Sequence, residues 1–453
     1  MDLGIDIFGN PISQPVAAQT EIDIQSLISA SAHPVPTANT QTTPVKQKGE
    51  TVLVLDYANF FFRAFHMSLI VNPNVGDYTR EEDLVSFGYK LMTDIVSIYN
   101  IFKPRHLVLA MDGKNAWRKA ILPEEYKAQR VKDENVNWEM LFGDSNDIQK
   151  ILHDKLGAIV TMRDHAEGDD MMCMIKECLW NRPEAMNIII VSSDADLRQL
   201  IDFNKETSQY CIVYNQIARP KTKKRRLYIN QDFKNWLEDD QVDIFFSNFD
   251  PIKNAINMIL QNNKQIETYV ENPNNVVLSK IFCGDDSDQV PSFYSYYRNG
   301  KSSRVTPSKY QKIVEMLNIT EVKSLCEQST KLSDAIEKVC KVRPDDIDID
   351  ERLMRQRKLV ELNSELFPEN IREYKETIEY MLRNNIPRVS TENLKAAEIL
   401  ANTKYSDGGK KKTLEAEVFR DFDRFSKSGA GVKAKQPTSA IDNEVLQEIK
   451  ALF

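Results

Sequence analysis

Asp194 and Asp196 stand one residue apart in VSSDADLRQL, directly after the apolar run NIIIV. One carboxylate at a strand end can cap the next helix. Two so close together repel each other unless a cation or a proton lies between them. The chain repeats the arrangement. TVLVLD ends on Asp56, HLVLAMD ends on Asp112, HAEGDDMMCMI carries Glu167, Asp169 and Asp170, and GDDSDQ carries Asp285, Asp286 and Asp288. Singly, each acid reads as a helix cap. Together they make an all-oxygen donor set without His or Cys, which suits a hard divalent cation, Mg²⁺ or Mn²⁺. Two such ions about 3.5–4 Å apart stabilise the attacking and leaving oxygens of a phosphodiester displacement. The chemistry implied is phosphodiester hydrolysis with water as nucleophile, provided the fold brings the acids to one place.

A parallel sheet would do so. Short continuous apolar runs at 51–56, 106–112, 187–196 and 209–215 read as buried strands, and the segments 80–100 and 168–180 between them have helical periodicity. This alternation predicts an α/β domain, a parallel sheet flanked by helices. Ligands in such sheets bind beyond the carboxyl ends of the strands, where Asp56, Asp112, Asp194 and Asp196 fall. After about residue 228 the pattern turns helical, at 250–263, 306–318 and 368–385. We therefore expect a catalytic domain over 49–228 and a helical domain over 229–400. Residues 1–48, rich in Pro, Ser, Thr and Gln, read as a disordered leader. Residues 401–440, with SDGGKKK and SKSGAGVKAKQPTS, read as a flexible linker. Residues 441–453 form an amphipathic peptide with Val445, Leu446, Ile449, Leu452 and Phe453 on one side. Two destinations are open to it: docking on the protein's own core, or anchoring a replication partner such as a sliding clamp.

The substrate side needs positive charge. AWRKAILPEEYKAQR supplies Arg118, Lys119, Lys127 and Arg130, with Trp117 and Tyr126 interleaved. Such cations neutralise a scissile phosphate and such aromatics stack on an unpaired base. KTKKRR, with Lys223, Lys224 and Arg225, falls at an expected hairpin tip and is a second candidate for phosphate contact. The formal charge, 59 − 67 = −8, argues mildly against a broad basic face, although acids at a metal site can mask a basic groove in the total. Scattered cysteines and histidines fit neither a zinc site nor a disulfide framework, so a reducing cytoplasm is the expected setting. No apolar run approaches the roughly 18–20 residues that span a bilayer, and no secretory signal opens the chain.

Five motifs in order, LVLDYANFFFRAF, LVLAMDGKNAWRKAILPEEYKAQR, HAEGDDMMCMI, IIIVSSDADLRQLI and KIFCGDDSDQVPSF, resemble the structure-specific 5′ nucleases. That family includes flap endonucleases and the 5′-nuclease domains of bacterial DNA polymerases. RVTPSKYQKIVE and KLVELNSELFPENI resemble its phage subgroup, and within it the T-even phage enzymes called ribonuclease H. The likeness spans roughly residues 50–390. It implies a PIN-like sheet with a C-terminal helical duplex-binding region. It also implies a magnesium-dependent 5′→3′ exonuclease and flap endonuclease that removes RNA primers and 5′ flaps during DNA replication. By this resemblance one ion is held by Asp56, Asp112, Glu167, Asp169 and Asp170. The second involves Asp194, Asp196, Asp285 and Asp288, partly through water. Arg118 and Lys119 steer the scissile phosphate, and residues about 115–140 form an arch that a 5′ strand threads. The substrates implied are DNA and RNA–DNA duplexes with 5′ flaps or primers. A sliding clamp and a single-strand-binding protein are candidate partners of a monomeric enzyme in the cytoplasm (the host's, for a phage protein).

Two departures stand out. The usual GDxxDN is GDDSDQ, with Gln289 in place of Asn. The Gly-rich turn that seats a potassium ion on the duplex is replaced by PSFYSYYRNGKSSRVTPSK, so duplex grip would rest on Arg298, Lys301, Arg304 and Lys309. Two other readings remain open: a PIN-type single-stranded RNA endonuclease, and a catalytically silent DNA-binding scaffold.

Overall fold

The structure, a computed structural model, describes residues 50–71, 84–130, 136, 138–180, 186–239, 251–298, 301–342 and 348–385. The expected leader, linker and terminal peptide lie outside the described residues, as do 131–135 and 137 of the expected arch.

One sheet organises the catalytic half. Its strands are β1 (Thr51–Asp56), β2 (His106–Ala110), β3 (Ile159–Thr161), β4 (Asn187–Val191), β5 (Asp202–Asn204), β6 (Gln209–Asn215), β7 (Arg225–Ile229) and β8 (Ile266–Val270). Their order is β3-β2-β1-β4-β6-β7-β8, with β5 paired to β6. Pairing is parallel across β3, β2, β1, β4 and β6 and again between β7 and β8; β6 is antiparallel to β5 and β7. The apolar runs are continuous because both faces are covered. Alternate residues go to opposite sides. Leu53, Leu55, Leu107, Leu109, Ile189 and Val191 join one core with Phe60, Phe61, Leu91, Leu152 and Phe233 from the helices of that face. Val52, Val54, Val108, Ile188 and Ile190 join the other, against Met171, Met174 and Ile175 of helix Gly168–Leu179 and Ile378 of helix Tyr374–Asn384.

The sheet corrects the expected domain boundary. It runs to Val270, so a cut at residue 228 would sever β7 and strand off β8. The sequence of β8, IETYV, is half exposed on this edge and carries no apolar run to announce it. Beyond it, helices Pro273–Cys283, Pro307–Leu317, Ser329–Cys340 and Ile349–Val360 enclose a third core around Phe282, Phe293, Tyr310, Ile313, Leu332 and Leu359. A two-stranded hairpin, Ser295–Arg298 with Lys301–Arg304, occupies the segment that departs from the 5′-nuclease pattern. Trp117 packs in the second core, whereas Leu122 and Tyr126 pack in the third. The segment 116–126 therefore ties sheet to helices. Among the described residues no helix is long and apolar enough to cross a membrane.

Candidate active site

The chain steps outward from β1 to β2 to β3, then returns to place β4 on the other side of β1. That reversal makes a crevice at the carboxyl ends of β1 and β4, the general ligand position of such sheets. Asp56 ends β1 there and is 8 % exposed. Its Oδ1 accepts from the Asn59 amide at 3.0 Å, capping the following helix, and its Oδ2 accepts from Ser192 Oγ at 2.6 Å. Burial pushes its pKa up to about 7; the bonds from Ser192 and Asn59 pull against this, and the charges of Asp112 and Asp194 add to it. The capping reading and the clustered reading are thus both true of Asp56.

Asp112 stands two residues past β2, and its Oδ1 accepts from the Gly168 amide at 2.7 Å. Burial, then the charge of Glu167, raises its pKa. Asp169, in the first turn of helix Gly168–Leu179, is raised well above the usual carboxylate range by burial and by Asp194 and Asp56. In the SSDAD turn the Asp194 amide donates to Ser192 Oγ and the Asp196 amide donates to Asp194 Oδ1, both at 2.9 Å. Asp196 rises to about 7, by burial first and then by Asp194, with Lys280 opposing. The sheet therefore brings Asp56, Asp112, Asp169, Asp194 and Asp196 within electrostatic range of one another. Gly113 sets the spacing behind them: a Cβ there would lie 1.9 Å from the Arg163 carbonyl oxygen. Gly113→Ala must displace the turn leading to Glu167 and is expected to cost about 2–3 kcal/mol in chemical unfolding, as forced overpacking does.

Carboxylate atoms of Asp196, Asp285 and Asp288 lie within 4.8 Å of one another. Lys280, on helix Pro273–Cys283, bonds to both Asp196 and Asp285. Burial works to raise the Asp285 pKa, but the bonds from Lys280 and Ser287 hold it below the usual value. The sequence reading missed Lys280; its signal is a basic residue in the last turn of the helix that ends at Gly284. Asp286 points elsewhere, to an exposed pair with Arg304 at 2.5 and 2.9 Å.

The aromatic and basic segment differs from expectation. Arg118 is 3 % exposed. Its Nη1 donates to Glu167 Oε2 at 2.8 Å, and its Nη2 lies 2.8 Å from Asp170 Oδ1, an ion pair without hydrogen-bond alignment. Trp117 is buried and donates from Nε1 to Asp170 Oδ2 at 3.0 Å; Tyr126 is buried and donates to Glu167 Oε2 at 2.9 Å. All three side chains are turned inward, buried against these acids. The interior acids Glu167 and Asp170, read as ion ligands, are the partners that drew them in. Burial raises the Glu167 pKa, but Lys127 and Arg118 outweigh it and bring it down to about 2. Lys119 lines a cavity of about 960 Å³ with Met354, Lys358 and Phe367, away from the aspartates. Lys127 pairs with Glu167 and, at 3.4 Å, with Asp288; Arg130, more than half exposed, donates to Asp288 Oδ1 at 2.8 Å. These two cations flank the acids.

Lys223 and Lys224 sit at the tip of the β6–β7 hairpin, and Arg225 opens β7. Because β6 is parallel to β4, this tip leaves the sheet on the same edge as Asp194. Lys224 lies 3.8 Å from Glu267. Arg298 and Lys301 face each other in register in the short hairpin, and Lys309 donates to the Tyr296 hydroxyl.

A mostly parallel sheet thus gathers carboxylates at its switch point. Residues 51–234 match the family described as 5′-3′ exonuclease, N-terminal resolvase-like domain. Among solved structures the chain is similar to a zinc-bound 5′-exonuclease of bacteriophage T5, with 16% identity, 73% of this chain and 99% of that one covered, and a TM-score of 0.44. It is also similar to a bacteriophage T5 flap endonuclease in a pseudo-enzyme–product complex with DNA and metal ions, at 16% identity, 74% and 100% coverage and a TM-score of 0.44. No curated protein matches the chain by sequence.

Proposed function

We propose that the protein is a magnesium-dependent 5′→3′ exonuclease and flap endonuclease that removes RNA primers and 5′ flaps in DNA replication. The observation that carries this reading is the meeting of Asp56, Asp112, Asp169 and Asp194 at the switch point, with pKa values of Asp56, Asp112 and Asp169 raised by burial and mutual repulsion. Carboxylates so placed accept a cation readily, because the cation removes the repulsion. An oxygen-only set suits two Mg²⁺ ions, with Mn²⁺ able to substitute. Asp56, Asp112, Asp169 and Asp194 would hold one, and Asp196, Asp285 and Asp288 would help hold the other. Bound there, the ions supply positive charge that acidifies water and offsets charge building on the phosphodiester. Lys127 and Arg130 bind and orient the phosphate beside them. The helical region grips the downstream duplex by its backbone, and the basic hairpin tip with Lys223 and Lys224 adds a phosphate contact. A cytoplasmic monomer working with a sliding clamp and a single-strand-binding protein completes the reading.

Labelled 5′-flap duplexes and RNA-primed duplexes should be cut in Mg²⁺ and left whole in EDTA. Equal cutting in EDTA would remove the metal from the reading. Faster cutting of free single-stranded RNA than of the flap duplex would favour the PIN-type alternative, against which the third, helical core already weighs.

A further inference from the structure

We propose that Gln289 is a positioning residue whose side-chain oxygen holds the base of the cationic segment against the acidic turn. The inference rests on the nuclease reading only for its kinetic consequence. The turn is closed by reciprocal backbone bonds between Asp285 and Val290 at 2.9 and 2.8 Å. Gln289, the last residue inside it, has φ 57°, in the left-handed region. Facing it, Lys127 also has a left-handed φ of 56°, and its amide donates to the Asp288 carbonyl at 3.2 Å. Gln289 Oε1 then accepts from the Gln129 amide at 2.9 Å. Flanking this bond are the two cation contacts to Asp288, from Lys127 Nζ at 3.4 Å and Arg130 Nη2 at 2.8 Å. Backbone and side-chain ties therefore alternate along 127–130, and the Gln289 bond fixes the backbone between the two cations.

The choice of Gln is specific. Asn adopts the left-handed region more readily than Gln, so it serves the turn at least as well. It is one methylene shorter and cannot span to the Gln129 amide. Gln in this place spends backbone comfort on reach, and what it reaches is the segment that carries Lys127 and Arg130. Because those cations act on the reacting phosphate, loosening them weakens the transition state more than the bound duplex.

Gln289→Asn, Gln289→Met and Gln289→Glu in the full chain test the idea by three readouts: amide exchange at Gln129, thermal melting, and kcat and KM on a 5′-flap duplex in Mg²⁺. In Gln289→Asn, exchange at Gln129 should speed up and kcat should fall, each roughly three- to tenfold, the scale of one hydrogen bond. KM and the melting temperature should hold. Gln289→Glu keeps length and acceptor and should restore both readouts. Gln289→Met, of full length without an acceptor, should behave like Asn and carries the test if the Asn variant misfolds. Unchanged exchange or unchanged kcat in Asn and Met, or a Glu variant that behaves like them, overturns the proposal. A wild-type protein that cuts no flap but shows Gln129 exchange rising in the Asn variant would sink the nuclease reading and leave the tie standing.

Discussion

Asp56→Asn should abolish cleavage and, in the same protein, raise the stability of the metal-free fold at neutral pH. The first effect follows from removing a charged oxygen from a site built to balance cations: a ligand worth several kcal/mol of charge stabilisation corresponds to at least about a thousandfold in rate. The second follows from burial. The Asp56 pKa is about 7 in the fold against an ordinary value of 3.8. Between those values the folded state holds a proton that the unfolded chain has lost, so stability falls as pH rises through the window. At pH 7 the loss from this one group is on the order of 4 kcal/mol. Asp196, also near 7, adds to the same slope. Melting in EDTA from pH 4 to pH 8 should show the decline in wild type and a flatter line in Asp56→Asn. Mg²⁺ should restore the wild type at pH 7 and do little for the variant, since a ligand stabilises only the state that binds it. Asp194→Asn should match it in activity while duplex binding persists. Normal cutting by either variant would refute the site.

The acids and the sheet were legible because they obey local rules. A doubly covered parallel strand must be apolar along its whole length, and its last residue must emerge at the ligand edge, so TVLVLD and NIIIVSSDAD announce both strand and site. The edge strand β8 was not legible, since IETYV alternates weakly and draws its partner from β7. The hairpin Ser295–Arg298 with Lys301–Arg304 had a signal, Asn-Gly between two segments rich in Tyr and Ser, which was read only for its charges. The larger miss was Trp117, Arg118 and Tyr126. Cations and aromatics at helical spacing look like a solvent-facing, substrate-binding surface. What turns them inward is Glu167 and Asp170, more than 40 residues along the chain, and no local pattern reveals a long-range ion partner. Lys280 had a local signal at the helix end beside Asp285, but its tie to Asp196, 84 residues away, had none.

Arg118→Ala is the sharpest test of that inward placement. If Arg118 served mainly to steer a phosphate, its removal would cost activity and leave melting untouched. Buried at 3 % exposure between Glu167 and Asp170, it instead balances two interior carboxylates. Removing one partner of a buried ionic group leaves charge without compensation, at a cost of about 3–5 kcal/mol. Chemical unfolding at pH 7 should register that loss, and Arg118→Ala combined with Asp170→Asn should recover part of it, because the double variant no longer buries the orphaned charge. Acid adds a second signature. The Glu167 pKa, about 2 in the fold against an ordinary value of 4.5, gives the wild type stability that is present above about pH 4.5 and drains as pH falls toward 2. Lys127 and Arg118 together set that low value. In Arg118→Ala the Glu167 pKa should climb, so the variant starts less stable at pH 7 yet loses less between pH 4.5 and 2. Equal acid slopes in the two proteins, with equal stability at pH 7, would place Arg118 back at the surface.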